Sequence, residues 1–509
     1  VKARRPAILF LLLVVNSAYL AARADASPFY FGNVALHLVL GAALFLSPLA
    51  RAPELWRAAP PFLRAGLALL AVGGALGLLL VVTGATRPFY WLLYAHMAVA
   101  GLGALLVLAH LAGAARQTTG PARARTVAAV AVACAAVLAS GVLVVTERLG
   151  TGARHRIANP ESPPLSMDGE GAGPQSPFFP SSAETNVGGV IPANFFLTSR
   201  SCGRCHKDVF EQWNASAHHF SSFNNQWYRK SIEYMQDVVG TRPSKWCAGC
   251  HDHAVFFNGR FDRPIREQIE TEEAQAGLAC TSCHSIVHVK STMGQGDFLI
   301  EYPPLHDLAV SDQPLLRWTH DFFLRTDPRP HRETFLKAFH RRQTPEFCSS
   351  CHKVHLDVPV NAYRWFRGFN EYDNWQASGV SGEGARSFYY PKQPQKCADC
   401  HMPLVPSNDP AAKGGKIKSH RFPGANTALP FVNQDHEQLR ITQEFLRDGQ
   451  VSADVFALVR GEPVAPVASR APAREPLLAS TFAQGEESAS FGAEQAFLSK
   501  PPEVVAPLD

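Results

Sequence analysis

Cysteine is nearly absent outside one repeated pattern. Of the 11 Cys in 509 residues, ten lie in five identical short motifs, and Cys134 stands alone in an apolar run. None remains for a disulfide framework, which excludes a small disulfide-stapled scaffold. A strong excess of one charge is also missing, with 48 Lys plus Arg against 43 Asp plus Glu. Nucleic acid is therefore not an expected partner. Between 201 and about 437, neither a long amphipathic helix nor regular strand alternation stands out. That lack argues against an ordinary core built from side chains alone.

What is present is a pattern of C-x-x-C-H. It occurs as Cys202-Gly-Arg-Cys205-His206, Cys247-Ala-Gly-Cys250-His251, Cys280-Thr-Ser-Cys283-His284, Cys348-Ser-Ser-Cys351-His352 and Cys397-Ala-Asp-Cys400-His401. Two thiols three positions apart can bond to the two vinyl groups of one porphyrin, and the next residue offers an imidazole to the iron. Five covalently bound haem c groups are expected. Structural zinc uses paired C-x-x-C knuckles, whereas these number five and each is followed by His. Chance would place five such His with a probability of roughly 1 in 10^7. About ten haem propionates would offset the formal +5 of the polypeptide.

The hydrophobic 46% is unevenly spread, with an apolar first third and a polar remainder. Five apolar segments can be read, at about 6–22, 33–50, 62–84, 89–113 and 126–146. Most approach the ~20 residues needed to cross a bilayer as helix. With the N-terminus inside, the inner side carries Lys2, Arg4, Arg5, Arg51, Arg57, Arg64, Arg116, Arg123 and Arg125, and the outer side only Arg23 and Arg87. The asymmetry fits the positive-inside rule. It predicts a multi-pass bacterial inner-membrane protein whose motif domain lies on the periplasmic side.

His37 and His96 fall at comparable depth in the second and fourth spans, in reach of a b-type haem between them. Gly41, Gly101 and Gly103 would give a macrocycle room. His110 lies deeper on nearly the same face as His96, but the second span supplies no partner for it. Three readings stand for these intramembrane His: one haem b, a quinone-binding role without haem, or polar packing.

Residues 150–200, rich in Pro and Gly, read as an extended linker. Short helices are expected at Lys207–Trp213, Pro264–Glu273, Leu315–Leu324 and Arg332–His340. Residues 438–509 read as a largely disordered extension or a truncated domain, with Val451–Val459 as one strand without partners. The fold class is therefore mainly α: 1–149 a five-helix transmembrane bundle, 201–437 a loop-rich, short-helix multihaem domain.

Twelve further His follow the membrane segment, ample for five distal iron positions. The candidates singled out are His218, His420, His288, His340 and His355. Bis-His ligation would make the irons electron carriers. Trp213-x-x-Ser216-x-His218, after the first motif, resembles multihaem cytochromes of the hydroxylamine oxidoreductase and pentahaem nitrite reductase superfamily. So does Cys397-Ala-Asp-Cys400-His401-Met402-Pro403 followed by Ser419-His420-Arg421-Phe422-Pro423. The likeness covers about 201–425. It implies closely packed haem pairs, with His218 and His420 as distal ligands. A C-x-x-C-K motif, common in the nitrite reductases, is absent, no cross-linking Tyr can be identified, and the cytochrome b-like membrane third is foreign to those soluble enzymes.

The expected function is a membrane-anchored relay of electrons between the quinone pool and a periplasmic or extracellular acceptor, with a redox protein or respiratory-complex subunits as partners. The rivals are a terminal reductase or oxidoreductase acting on a small nitrogen or sulfur compound at a five-coordinate haem, and an electron-transfer subunit of a larger respiratory complex.

Overall fold

The computed structural model describes residues 4–46, 56–57, 59–117, 119–154, 156–303, 305–361, 365–384, 392–448, 457–460 and 503–507. Five apolar helices come first: α1 (Arg4–Ala22), α2 (Pro28–Leu46), α3 (Pro61–Thr83), α4 (Tyr90–Gln117) and α5 (Gly120–Arg154). Among the described residues, α2, α3, α4 and α5 are long and apolar enough to cross a membrane, while α1 holds a shorter apolar stretch, Pro6–Ala22. Helix α1 packs on α2 and α5, α3 on α2 and α4, and α4 on α5. The bundle thus closes on itself. Pro61 stands in the first turn of α3, where its missing N–H costs nothing. Gly66 and Gly103 let α3 and α4 approach, since a Cβ on Gly103 would meet the Gly66 carbonyl at 3.0 Å. Exposed Leu and Val cover the outer surface, as lipid-facing helices require. Cys134, on α5, is exposed.

The remaining chain forms short pieces. The longer ones are α6 (Lys207–Asn214), α7 (Gln226–Val239), α8 (Thr241–His251), α9 (Pro314–Thr326), α10 (Arg329–Phe335) and α11 (His436–Arg447). A three-stranded sheet has the order β1 (Glu184–Thr185), β3 (Phe298–Ile300), β2 (Ile286–Val289). Three antiparallel pairs follow: β4 (Lys353–Leu356) with β5 (Phe366–Asn370), β6 (Leu404–Pro406) with β7 (Lys416–Lys418), and β8 (Ala457–Arg460) with β9 (Glu503–Pro507).

Several expectations need correction. The stretch from 156 to 200 is no tether. Phe178, Ile191, Phe195 and Phe196 enter the main apolar core, and β1 joins the sheet. Proline there restricts the backbone without preventing aromatic burial. The expected helix Pro264–Glu273 reduces to 3-10 turns at Ile265–Glu267 and Glu273–Gln275, and Arg332–His340 is broken after Phe335. Helix α7 is an amphipathic helix that escaped notice. Asn225 caps it by accepting from the Trp227 and Tyr228 amides, and Gly240 closes it at φ 83°. Lastly, α11 runs across the expected boundary at 437, and the strand within Val451–Val459 does have a partner, β9. The rest of the expected C-terminal extension, 449–456, 461–502 and 508–509, lies outside the described residues.

Bundle and motif domain meet at one end of the helices. Tyr30 Oη donates to Asp327 Oδ2 at 2.6 Å, and Arg329 bonds Asp327 (2.6 and 2.8 Å), Tyr30 Oη (2.8 Å) and the Leu20 carbonyl (3.0 Å). Ala85 N donates to Arg325 O at 2.8 Å. Arg87 donates to Pro410 O at 3.2 Å and Ala411 O at 2.9 Å. Phe31 packs on Phe323. This end carries Arg23 and Arg87; the Arg-rich connections lie at the other.

Candidate haem sites

Each motif lies on a helical turn, where positions i and i+3 share a face. The following imidazole is then fixed through Nδ1. His251 bonds Ser221 O at 2.8 Å, His284 bonds Phe335 O at 2.9 Å, and His401 bonds Pro423 O at 2.7 Å. A carbonyl only accepts, so the proton sits on Nδ1 and the lone pair lies on Nε2. His206 differs. Its Nδ1 faces the Asp409 carboxylate at 2.9 and 3.1 Å. Burial alone would lower the His206 pKa, and the Asp409 bond more than offsets it and raises it. His352 has Glu371 at 3.9 Å, beyond hydrogen-bond range.

Three of these imidazoles face another. His206 opposes His331 with centroids 6.2 Å apart and planes at 12°. His284 opposes His420 at 6.2 Å and 27°, and His352 opposes His218 at 6.2 Å and 85°. Two imidazoles bonded at about 2 Å to one metal, with about 1 Å more from nitrogen to ring centre, have centroids roughly 6 Å apart. The spacing fits an iron between them. Burial holds His218 and His331 neutral, lowering each to about 3, and lowers His420 to about 4. Neutral imidazole is the form that ligates. The residues present fit bis-imidazole haem.

The other candidates are placed differently. His340 accepts from the Lys337 amide at Nδ1 (3.1 Å) and donates from Nε2 to Cys283 O (3.0 Å), so no lone pair is left for iron. His355 Nε2 pairs with buried Glu170 at 2.7 Å. His288 lies on β2. His331, on α10, was one of twelve in the sequence with nothing local to mark it. The signal that selects it is tertiary, because the junction holds α10 over the first motif.

No described imidazole faces His251 or His401 at the paired separation. His251 stacks on Tyr228 at 4.5 Å and 11°, and His401 rests against Phe445 at 5.2 Å.

Thiols of different motifs lie side by side. Cys202 neighbours Cys280, Cys250 neighbours Cys351, and Cys348 neighbours Cys397. Cys283 lies close enough to Cys351 to feel its charge. The first motif therefore adjoins the third, the third adjoins the fourth, and the fourth adjoins both the second and the fifth.

In the bundle, His37 and His96 face each other at 6.3 Å with planes at 83°. His96 Nδ1 bonds Gly73 O at 2.8 Å. His37 Nδ1 lies 3.3 Å from Ser17 Oγ, whose own proton goes to Leu13 O. Both Nε2 lone pairs are thereby free, as in the motif domain. A Cβ on Gly77 would lie 3.0 Å from His96 Cε1, so glycine there makes room for the ring. Space is open at Gly41 and Gly101, whereas Gly103 is spent on helix contact. Among the described residues, no imidazole faces His110.

Residues 201–285 match the family model of cytochrome c554 and c-prime, which supports a c-type cytochrome domain there, with covalently bound haem c. No curated protein and no solved structure matches the chain significantly.

Proposed function

We propose that this protein is a membrane-anchored pentahaem cytochrome carrying electrons from the membrane quinone pool to an acceptor outside the cytoplasm. Haem, when bound, supplies reversible one-electron chemistry. The chain supplies the rest. Cys202 and Cys205, Cys247 and Cys250, Cys280 and Cys283, Cys348 and Cys351, and Cys397 and Cys400 would hold five haem c groups covalently. His206, His251, His284, His352 and His401 are their proximal ligands, and His331, His420 and His218 the distal ligands of the first, third and fourth. His37 and His96 would hold one haem b near the outer face. A quinol oxidised beside this pair would release its protons on that side.

The observation that carries the reading is the recurrence of one spacing. Four imidazole pairs, three outside the bundle and one within it, stand 6.2–6.3 Å apart. Docking on the Arg-poor end of the helices agrees with a motif domain outside the cytoplasm. A pyridine haemochrome spectrum tests it, with an expected c-to-b ratio of about five to one. A preparation holding haem c alone would remove the membrane site. Unchanged c-haem reduction by quinol in His96→Ala membranes would sink the quinol route.

A second reading has its own support. Among the described residues no imidazole faces His251 or His401 at the paired separation, and an open iron there would suit reduction of a small nitrogen or sulfur compound. A wholly low-spin oxidised spectrum would exclude it.

A further inference from the structure

The five proximal imidazoles are not held alike. Three give their Nδ1 proton to a neutral backbone carbonyl, and His352 has only Glu371, 3.9 Å away and 59% exposed. Among the described residues, only His206 of the five has a buried carboxylate at hydrogen-bond distance, on a side chain with no exposed surface. Asp409 is built into place. Its own amide bonds Ser407 Oγ at 3.0 Å, and Oδ1 also accepts from the Ala411 amide at 2.7 Å. Ser407 Oγ in turn donates to Asp208 Oδ2 at 2.6 Å. The loop is carried between β6 and β7 and touches the bundle where Arg87 bonds the Pro410 and Ala411 carbonyls.

We propose that Asp409 sets the site of His206 and His331 to the lowest redox potential of the three bis-imidazole sites outside the membrane. This rests on reading His206 as an iron ligand. A carboxylate draws the Nδ1 proton toward itself and makes the imidazole a stronger donor, which favours ferric over ferrous iron. A buried anion adds direct stabilisation of the more positive oxidised centre. Neither effect is available from a carbonyl. The same site is the one bolted to the bundle through both of its ligands: His331 rides on α10 beside Arg329, and His206 is held by the loop that meets Arg87. An electron delivered at the membrane face would then move downhill into the third and fourth sites. Asp409 is a positioning and tuning residue, not one that touches iron.

The test is Asp409→Asn in the full-length holoprotein, with redox titration followed optically and by EPR. One low-spin component is expected to move to higher potential with altered g values, the others staying in place, at unchanged haem content. Unmoved midpoints at full haem content would overturn the proposal. Asp409→Glu keeps the charge and should hold the component near its original potential. If it moves as far as the Asn variant, the carboxylate is not the cause and the proposal fails. Should Asp409→Asn lose haem, the Glu variant together with Ser407→Ala decides, the latter giving a smaller upward shift if the loop aims the carboxylate and none if it does not. Failure of the underlying reading looks different: His206→Ala would leave the c-haem count and every EPR component unchanged.

Discussion

Tyr30, on a membrane helix, and Asp327, in the motif domain, are joined by a 2.6 Å hydrogen bond that Arg329 reinforces from both sides. Tyr30 is fully buried. His37 lies two turns along α2 from Tyr30, and His331 lies two residues beyond Arg329. The joint thus sits between the membrane imidazole pair and the first pair outside it.

Arg329→Ala should loosen this joint by roughly 2 kcal/mol or more, since it strands a largely buried carboxylate. Hydrogen exchange should rise across 314–335, and quinol-driven reduction of the c haems should slow while dithionite still reduces all of them. Unchanged exchange would show that the joint is held elsewhere. Burial pushes the Asp327 carboxyl up, but the Arg329 bonds outweigh it and hold the group below the usual carboxylate range. A depressed carboxylate stabilises above its unfolded pKa and loses that contribution as pH falls through the folded value. Docking should therefore be insensitive to pH between about 5 and 8 and weaken only below about 4.

The membrane pair predicts two separable losses. His96→Ala should abolish haem b by removing a ligand. Gly77→Leu should do so by crowding the ring, with the helices still inserted. Both should leave the five c haems attached. Haem b persisting in His96→Ala at full occupancy would dismiss the pair.

Spin state distinguishes the distal residues. Alanine at His331, His218 or His420 should each convert one low-spin haem to high spin without loss of haem. His340→Ala should convert none, because both of its nitrogens are already engaged. The unsubstituted protein should contain high-spin haem at the sites of His251 and His401, and carbon monoxide should bind the reduced form there. A new high-spin signal in His340→Ala would reverse the assignment.

Phe196→Ala should destabilise the motif domain by about 3–5 kcal/mol, the usual cost of emptying a core aromatic site. Phe196 is 1% exposed and stacks near Phe257 at 5.7 Å. A thermal melt that did not shift would return residues 156–200 to the status of a tether.

Legibility in the sequence followed the range of the interaction. The five motifs and the apolar segments are local patterns, so residue spacing alone located them. His37 and His96 could be matched because depth in a bilayer is counted along the helix. The place of His331 opposite His206 could not, since it depends on α10 being pinned to the bundle by Tyr30 and Asp327, some three hundred positions apart. His340 and His355 illustrate the converse, their nitrogens bonding Cys283 O and Glu170 from distant segments. Proline and glycine between 150 and 200 disguised Phe178, Phe195 and Phe196 as linker because the window average outweighed the aromatics.

The neighbouring thiols carry a consequence for biogenesis. Cys202 meets Cys280 and Cys250 meets Cys351 only once the chain has collapsed. An oxidant acting then would join cysteines from different motifs and bar both from porphyrin, since exchange needs only a thiolate within reach. The expected order is attachment ahead of collapse, motif by motif. We expect chains starved of haem under oxidising conditions to accumulate Cys202–Cys280 and Cys250–Cys351 cross-links in non-reduced peptide maps. Cross-links confined within single motifs would refute that order. On that order, folding waits for the cofactor.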